Sequence, residues 1–168
     1  VAGENDRLCR FPSDILKKMG ELGLMGMVVP ERYGGSGASV VSYVMAVEEI
    51  AYACASTAVT MSCNNLACEP ILNRGTEEQK QKFLLPLASG QSIGCICITE
   101  PDTGSDVSAI RTKAVRKGDK YIVNGAKMFI TNGGYSDYFV VFVRTGEHKH
   151  KGLSAMVIEK GAPGFEIS

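Results

Sequence analysis

The sequence predicts an α+β chain, a helical bundle followed by an antiparallel β-barrel or sandwich. Two observations predict it. Up to Gly90 the apolar residues recur every three or four positions, which gathers them on one side of a helix. Past Gly90 the spacing falls to two and turn residues recur at short intervals, the pattern of strands joined by tight turns. The segment Cys97-Ile98-Thr99-Glu100-Pro101-Asp102-Thr103-Gly104-Ser105-Asp106 marks the change. A strand-like run from Ile93 leads into it, and Pro101 stops that run because proline has no amide hydrogen to give a ladder. The loop beyond offers backbone amides, hydroxyls and carboxylates, a set suited to a polar or anionic ligand edge. The two parts are expected at residues 1–92 and 93–168.

The elements follow in order. Residues 1–10 read as a lead-in segment or the end of a helix. Pro12 suits a first helical turn; Ile15, Leu16, Met19 and Leu22 repeat at helical spacing, and Gly23 can end the helix. Gly34, Gly35 and Gly37 lack the spacing of a phosphate-binding loop and read as a surface connector. Ser39 can cap a helix whose apolar stripe is Val40, Tyr43, Val44, Val47, Ile50 and Ala51. A further helix opens near Ser56 and runs to about Arg74, with Pro70 expected to kink or interrupt it. Thr76-Glu77-Glu78-Gln79 fits a capping box, leading into Lys80, Phe83, Leu84 and Leu87. Strands are then expected at 93–99, 112–116, 121–123, 127–131, 137–144 and 153–159, with Gly118-Asp119 turning the second into the third.

Composition narrows the function classes. The 168 residues are 45% hydrophobic and 21% charged, enough for one domain or two small ones. Formal net charge is zero and the Lys and Arg residues are scattered, which argues against a nucleic-acid or anionic-membrane partner. No apolar run approaches the roughly 20 residues that span a bilayer, and the polar first ten residues lack the apolar core of a signal peptide. A start without Met and a strand-like end lead us to expect a longer native product. Of six cysteines, four lie in apolar periodic segments and read as buried thiols in a reducing compartment. Cys95-x-Cys97 places two thiols on one strand face and Cys63-x₄-Cys68 has no matching second pair, so no metal site is assigned. His148 and His150 read as a solvated hairpin tip, and Met25, Met27 and Met61 as core.

Three stretches carry a family resemblance. They are Leu22-Gly23-Leu24-Met25 with Pro30-Glu31-Arg32-Tyr33-Gly34-Gly35, then Thr99 to Asp106, then Asn124-Gly125-Ala126-Lys127-Met128-Phe129-Ile130-Thr131-Asn132-Gly133. Together and in this order they resemble the acyl-CoA dehydrogenase family, in particular its short-chain or butyryl-CoA type. The resemblance implies a helical domain, a β domain and a C-terminal four-helix bundle, of which this chain matches the first two and the bundle is missing. It implies FAD as cofactor, with Ile96, Ile98, Thr99 and Ser105 matching one group of flavin-lining positions and Phe129, Ile130 and Thr131 a second. Ser105 also matches a substrate-binding position. Family members often carry Trp where this chain has Phe129, so the aromatic face is kept and the indole donor is not.

The implied activity is α,β-dehydrogenation of an acyl-CoA thioester, with an electron-transferring flavoprotein as acceptor. The parent is implied to be a homotetramer in the bacterial cytoplasm or the mitochondrial matrix. No residue here matches the family's catalytic base, a glutamate of the C-terminal bundle, so no catalytic residue is assigned. Glu100 invites a general-base reading, but is taken instead as a structural pairing beside the cofactor loop. Thr99 and Thr131, placed at two strand ends, can supply donors to a flavin's polar edge. Taken singly they are ordinary strand threonines, and Ser105-Asp106 an ordinary cap. Two alternatives remain open on sequence: a non-catalytic FAD- or CoA-binding assembly module, and an acyl-CoA oxidase-like flavoenzyme.

Overall fold

A computed structural model describes residues 1–168. The chain divides into two compact units, Val1–Gly94 and Cys95–Ser168. No helix is long and apolar enough to cross a membrane.

The first unit holds α1 (Ala2–Arg7), α2 (Ser13–Glu21), α3 (Val40–Ala53), α4 (Ala55–Arg74) and α5 (Glu77–Ala88), with two 3₁₀ turns between α2 and α3. Two of the longer helices, α3 and α5, begin at side-chain caps. The Ser39 hydroxyl accepts the Ser42 amide at the start of α3. At α5 the capping box forms as its sequence demands: Thr76 Oγ1 accepts from the Gln79 amide, and Gln79 Oε1 accepts from the Thr76 amide at 2.9 Å. The core gathers Leu16, Met19, Met25 and Met61, flanked by Ile15, Leu24 and Ile93. The glycine-rich connector packs closely: a Cβ on Gly35 would run into the Val29 and Gly26 carbonyls, so the position admits no side chain.

Two helices depart from expectation. The α4 helix runs uninterrupted past Pro70 to Arg74. No residue of α3 is fully buried. Its Tyr43, Val47 and Ile50 flank the core, while Val40 and Val44 of the expected stripe are 68% and 55% exposed. The apolar surface of α3 is therefore wider than the face it turns to this core.

Two buried asparagines on α4 knit the first unit. Asn64 donates from Nδ2 to the Met25 and Leu87 carbonyls and accepts from the Gly94 amide at 2.8 Å. Asn65 accepts the Met27 amide at 2.8 Å and donates to the Leu24 and Met61 carbonyls. A primary amide suits this place because it donates and accepts at once.

The sheet comprises β1 (Gly94–Cys97), β2 (Lys113–Lys117), β3 (Lys120–Asn124), β4 (Tyr138–Arg144) and β5 (Leu153–Glu159). Its order is β1-β4-β2-β3, with β5 also on β4. The β2–β3 hairpin turns at Gly118-Asp119 with Lys117 opposite Lys120, as expected. The β4–β5 pair is antiparallel over its whole length, Tyr138 opposite Glu159 through Arg144 opposite Leu153.

The expected antiparallel barrel or sandwich needs correction. β3 pairs only with β2 and β5 only with β4, so the sheet stays open. The β2–β4 contact is parallel, through Lys113 and Arg144. The segment from 125 to 137 is too long for a hairpin and carries the chain to the other side of β2, where a parallel neighbour is the geometric result. The strand expected over 127–131 is also absent. Phe129 and Asn132 take left-handed conformations, with φ of 58° and 67°, which no ladder accepts.

Asn64→Ala would strip partners from two buried carbonyls and one amide. The expected loss is about 3–5 kcal/mol of stability, read as a lower urea midpoint by far-UV circular dichroism.

Candidate functional site

The ligand-facing candidates of the second unit lie on two segments, 96–105 and 129–131. β1 sorts the first by alternation. Cys95 and Cys97 are buried on one face, their sulfurs 3.8 Å apart, and the neighbouring thiol pulls Cys95 below its ordinary pKa. Ile96 is half-buried, as are Ile98 and Thr99 just past the strand. Thr99 thus lies two residues beyond the end of β1 rather than at it.

At Glu100 the chain turns. The Glu100 amide donates to the Thr103 carbonyl at 2.9 Å and the Thr103 amide returns the bond at 3.1 Å. Ser105 stands exposed just past this turn. The cap is Asp106 alone, whose Oδ1 accepts the Ser108 amide at 3.1 Å and the Ser108 hydroxyl. Lys149 adds an exposed ion pair to Asp106 at 3.5 Å.

The second segment is irregular. Gly125 passes so near Thr112 that a Cβ would sit 2.7 Å from Thr112 Cα. Met128 then donates its amide to the Thr99 carbonyl at 3.0 Å. That bond brings the 128–131 segment beside 98–99. Phe129 follows, 85% exposed and in the left-handed region. That conformation costs a residue with a Cβ about 1–2 kcal/mol. Ile130 is half-buried, and Thr131 is exposed at the head of the turn Thr131–Tyr135, not at a strand end.

Glu100 ties the segments together. Its carboxylate is buried, with Oε1 2.9 Å from Lys127 Nζ, and both side chains are nearly out of water, at 6% and 10% exposure. Oε1 also accepts the Thr112 amide at 2.9 Å, and Oε2 the Arg111 amide at 2.7 Å. Lys127 Nζ donates in addition to the Ile98 carbonyl at 2.9 Å. Burial pushes the Glu100 carboxyl up, but bonds from Lys127, Thr112 and Arg111 outweigh it and bring the pKa down from 4.5 to about 2. A carboxylate so placed is a poor base, and the structural reading of Glu100 stands.

Lys127 and Arg144 are the residues the sequence reading missed. Arg144 Nη2 donates to the Ser108 carbonyl at 2.7 Å and Nε to the Ile110 carbonyl at 2.9 Å, fixing the loop from its far side. The apolar flanks of Lys127 hid it, though a lysine inside an apolar run signals a partner.

The family model for the acyl-CoA dehydrogenase N-terminal domain matches residues 1–91, and that for the middle domain matches 95–168. The chain belongs to the acyl-CoA dehydrogenase family. It is 49% identical over 169 residues to the short-chain specific acyl-CoA dehydrogenase of Clostridium acetobutylicum, covering 99% of this chain and 45% of that protein. The chain therefore spans about half the length of that relative. The solved butyryl-CoA dehydrogenase of Megasphaera elsdenii superposes with a TM-score of 0.87 at 40% identity, over 96% of this chain and 44% of that one. A glutaryl-CoA dehydrogenase from Mycobacterium smegmatis, solved in complex with FADH2, gives a TM-score of 0.85 at 36% identity, over 93% and 39%.

The donor set suits a flavin. Ile96, Ile98 and Phe129 offer apolar surface, and the hydroxyls of Thr99 and Thr131 offer polar contacts beside it. An isoalloxazine has the same division, an apolar benzenoid end and a polar pyrimidine edge.

The Glu100 shift makes a signed prediction. A carboxyl held below its ordinary pKa contributes stability that is complete above pH 4.5 and is lost as pH falls toward 2. The contribution is on the order of 3 kcal/mol. Urea midpoints measured across that window should fall steeply for the unmodified chain and much less for Glu100→Gln. Equal slopes would contradict the assignment.

Proposed function

We propose that residues 95–131 form one wall of an FAD site in an acyl-CoA dehydrogenase acting on short acyl chains. The observation that carries this reading is Phe129, a large aromatic both exposed and held in a costly backbone conformation beside Thr99. Exposure gives up the gain of burial and the left-handed φ adds strain, and the two meet most often where a ligand supplies the missing contact. The short-chain specificity of the Clostridium acetobutylicum relative supports the substrate class.

Bound FAD supplies the hydride acceptor for α,β-dehydrogenation of the acyl-CoA thioester. Ile96, Ile98 and Phe129 would pack on the ring and exclude water from it. Thr99 and Thr131 donate to its polar edge, where hydrogen bonds favour the reduced state. Ile130 holds the turn through its carbonyl, which accepts the Gly133 amide, and exposed Ser105 would contact the acyl-CoA. Glu100, buried and ion-paired, does not serve as the base that removes the α-proton; the family resemblance implies a glutamate of the C-terminal bundle in that role. The family resemblance implies an electron-transferring flavoprotein as the acceptor of the electrons and a tetramer for the whole enzyme.

Phe129→Gly separates the site from the scaffold. Glycine accepts the left-handed conformation, so the variant is expected to match or exceed the unmodified chain in stability by up to about 1 kcal/mol. FAD affinity, followed by quenching of flavin fluorescence, is expected to fall about tenfold, the equivalent of losing one aromatic contact. Unchanged affinity would count against the wall. A second experiment addresses the base. With FAD and butyryl-CoA added, the chain should leave the flavin absorbance unbleached, and bleaching would place a base within these residues.

A further inference from the structure

The buried ion pair raises a question that the flavin wall leaves open. Lys127 and Glu100 lie 27 positions apart in sequence, and neither faces the site. A buried pair of this kind adds little net stability over a well-packed apolar pair, because taking two charges out of water offsets their attraction. What it brings is geometry. One ammonium bonds the Ile98 carbonyl and the Glu100 carboxylate, both at 2.9 Å. The next residue bonds the Thr99 carbonyl through its amide. Three consecutive residues of the first segment, 98 to 100, are thereby locked to two of the second, 127 and 128.

The residue after that lock is Phe129. A strained φ persists only where its surroundings over-determine it. On the N-terminal side the surroundings are these three bonds. On the C-terminal side they are the turn closed by the Gly133 amide on the Ile130 carbonyl and the Tyr135 amide on the Asn132 carbonyl, both at 2.9 Å. We infer that Lys127 and Glu100 are positioning residues for the flavin: their pair holds Phe129 in its left-handed conformation and fixes the spacing between Ile98-Thr99 and Phe129–Thr131. This rests on the flavin reading above. The carboxylate is itself held from behind by the Arg111 and Thr112 amides, so the lock reaches back to the start of β2.

The test uses the whole chain and the double variant E100Q/K127M, which keeps side-chain volume and leaves no orphaned charge. FAD affinity should fall at least tenfold while the far-UV circular dichroism spectrum at pH 7 stays that of the folded, unmodified chain. The conservative K127R should recover affinity to within about threefold. Hydrogen exchange gives a readout that needs no flavin. The Met128 amide should exchange at least tenfold faster in E100Q/K127M, while amides of the β4–β5 ladder such as Val157 stay unchanged. Unaltered affinity in the double variant, or unaltered exchange at Met128, overturns the inference. If the unmodified chain binds no FAD, the flavin reading fails, and the exchange at Met128 decides the lock by itself. Should E100Q/K127M not fold, E100Q/K127Q, which leaves no unpaired charge and keeps an amide donor, is measured in its place against the same limits.

Discussion

One ammonium and one carboxylate, nearly out of water and 2.9 Å apart, tie residues 98–100 of the second unit to residue 127. Neither could be buried alone. An unpaired charge in such surroundings would neutralise or unfold its neighbourhood. The solution is shared: Glu100 takes Lys127 and two backbone amides, and Lys127 takes Glu100 and a backbone carbonyl. A loop that carries Pro101, Gly104 and exposed Ser105 has little apolar mass to pack it. Its order comes from polar bonds aimed inward, with Arg144 closing the other flank through the Ser108 and Ile110 carbonyls. The loop can then leave its outer side to a ligand.

What the sequence made legible was what short-range chemistry decides. A threonine three residues before a glutamine made the α5 cap, and Gly118-Asp119 made the β2–β3 hairpin. Alternation put Cys95 and Cys97 on the buried side of β1. Where long-range geometry decides, the sequence was silent. Lys127 to Thr131 reads as a short strand, yet nothing in its composition reveals that Phe129 has positive φ. The parallel contact of β2 with β4 through Lys113 and Arg144 follows from the path of 125–137, not from the composition of either strand. The stripe on α3 was read correctly as apolar, but apolar residues do not say how much of their surface one core will cover.

The site shows the same division. Motif resemblance pointed to Ser105, Phe129 and Thr131, which are exposed, and to Ile96, Ile98, Thr99 and Ile130, which are half-buried; the bonds that join their two segments appear only in the structure. Glu100 was recognised as structural while its partner was missed, because the pair is joined across 27 positions and only the fold brings them together. The account that results gives the chain a limited part in an acyl-CoA dehydrogenase. In the second unit the obvious carboxylate, Glu100, is buried and ion-paired to Lys127, which suits architecture rather than proton transfer.

On the proposed reading, Ile98-Thr99 and Met128–Thr131 form one continuous flavin-facing surface. Amide chemical shifts of the ¹⁵N-labelled chain, followed during titration with FAD, test it most directly. The account predicts that shifts move together, with one saturation curve, at Ile98, Thr99, Met128, Phe129 and Thr131, while the exposed edge strand β3 stays still. Shifts confined to one of the two segments, or spread over β3 instead, would contradict it.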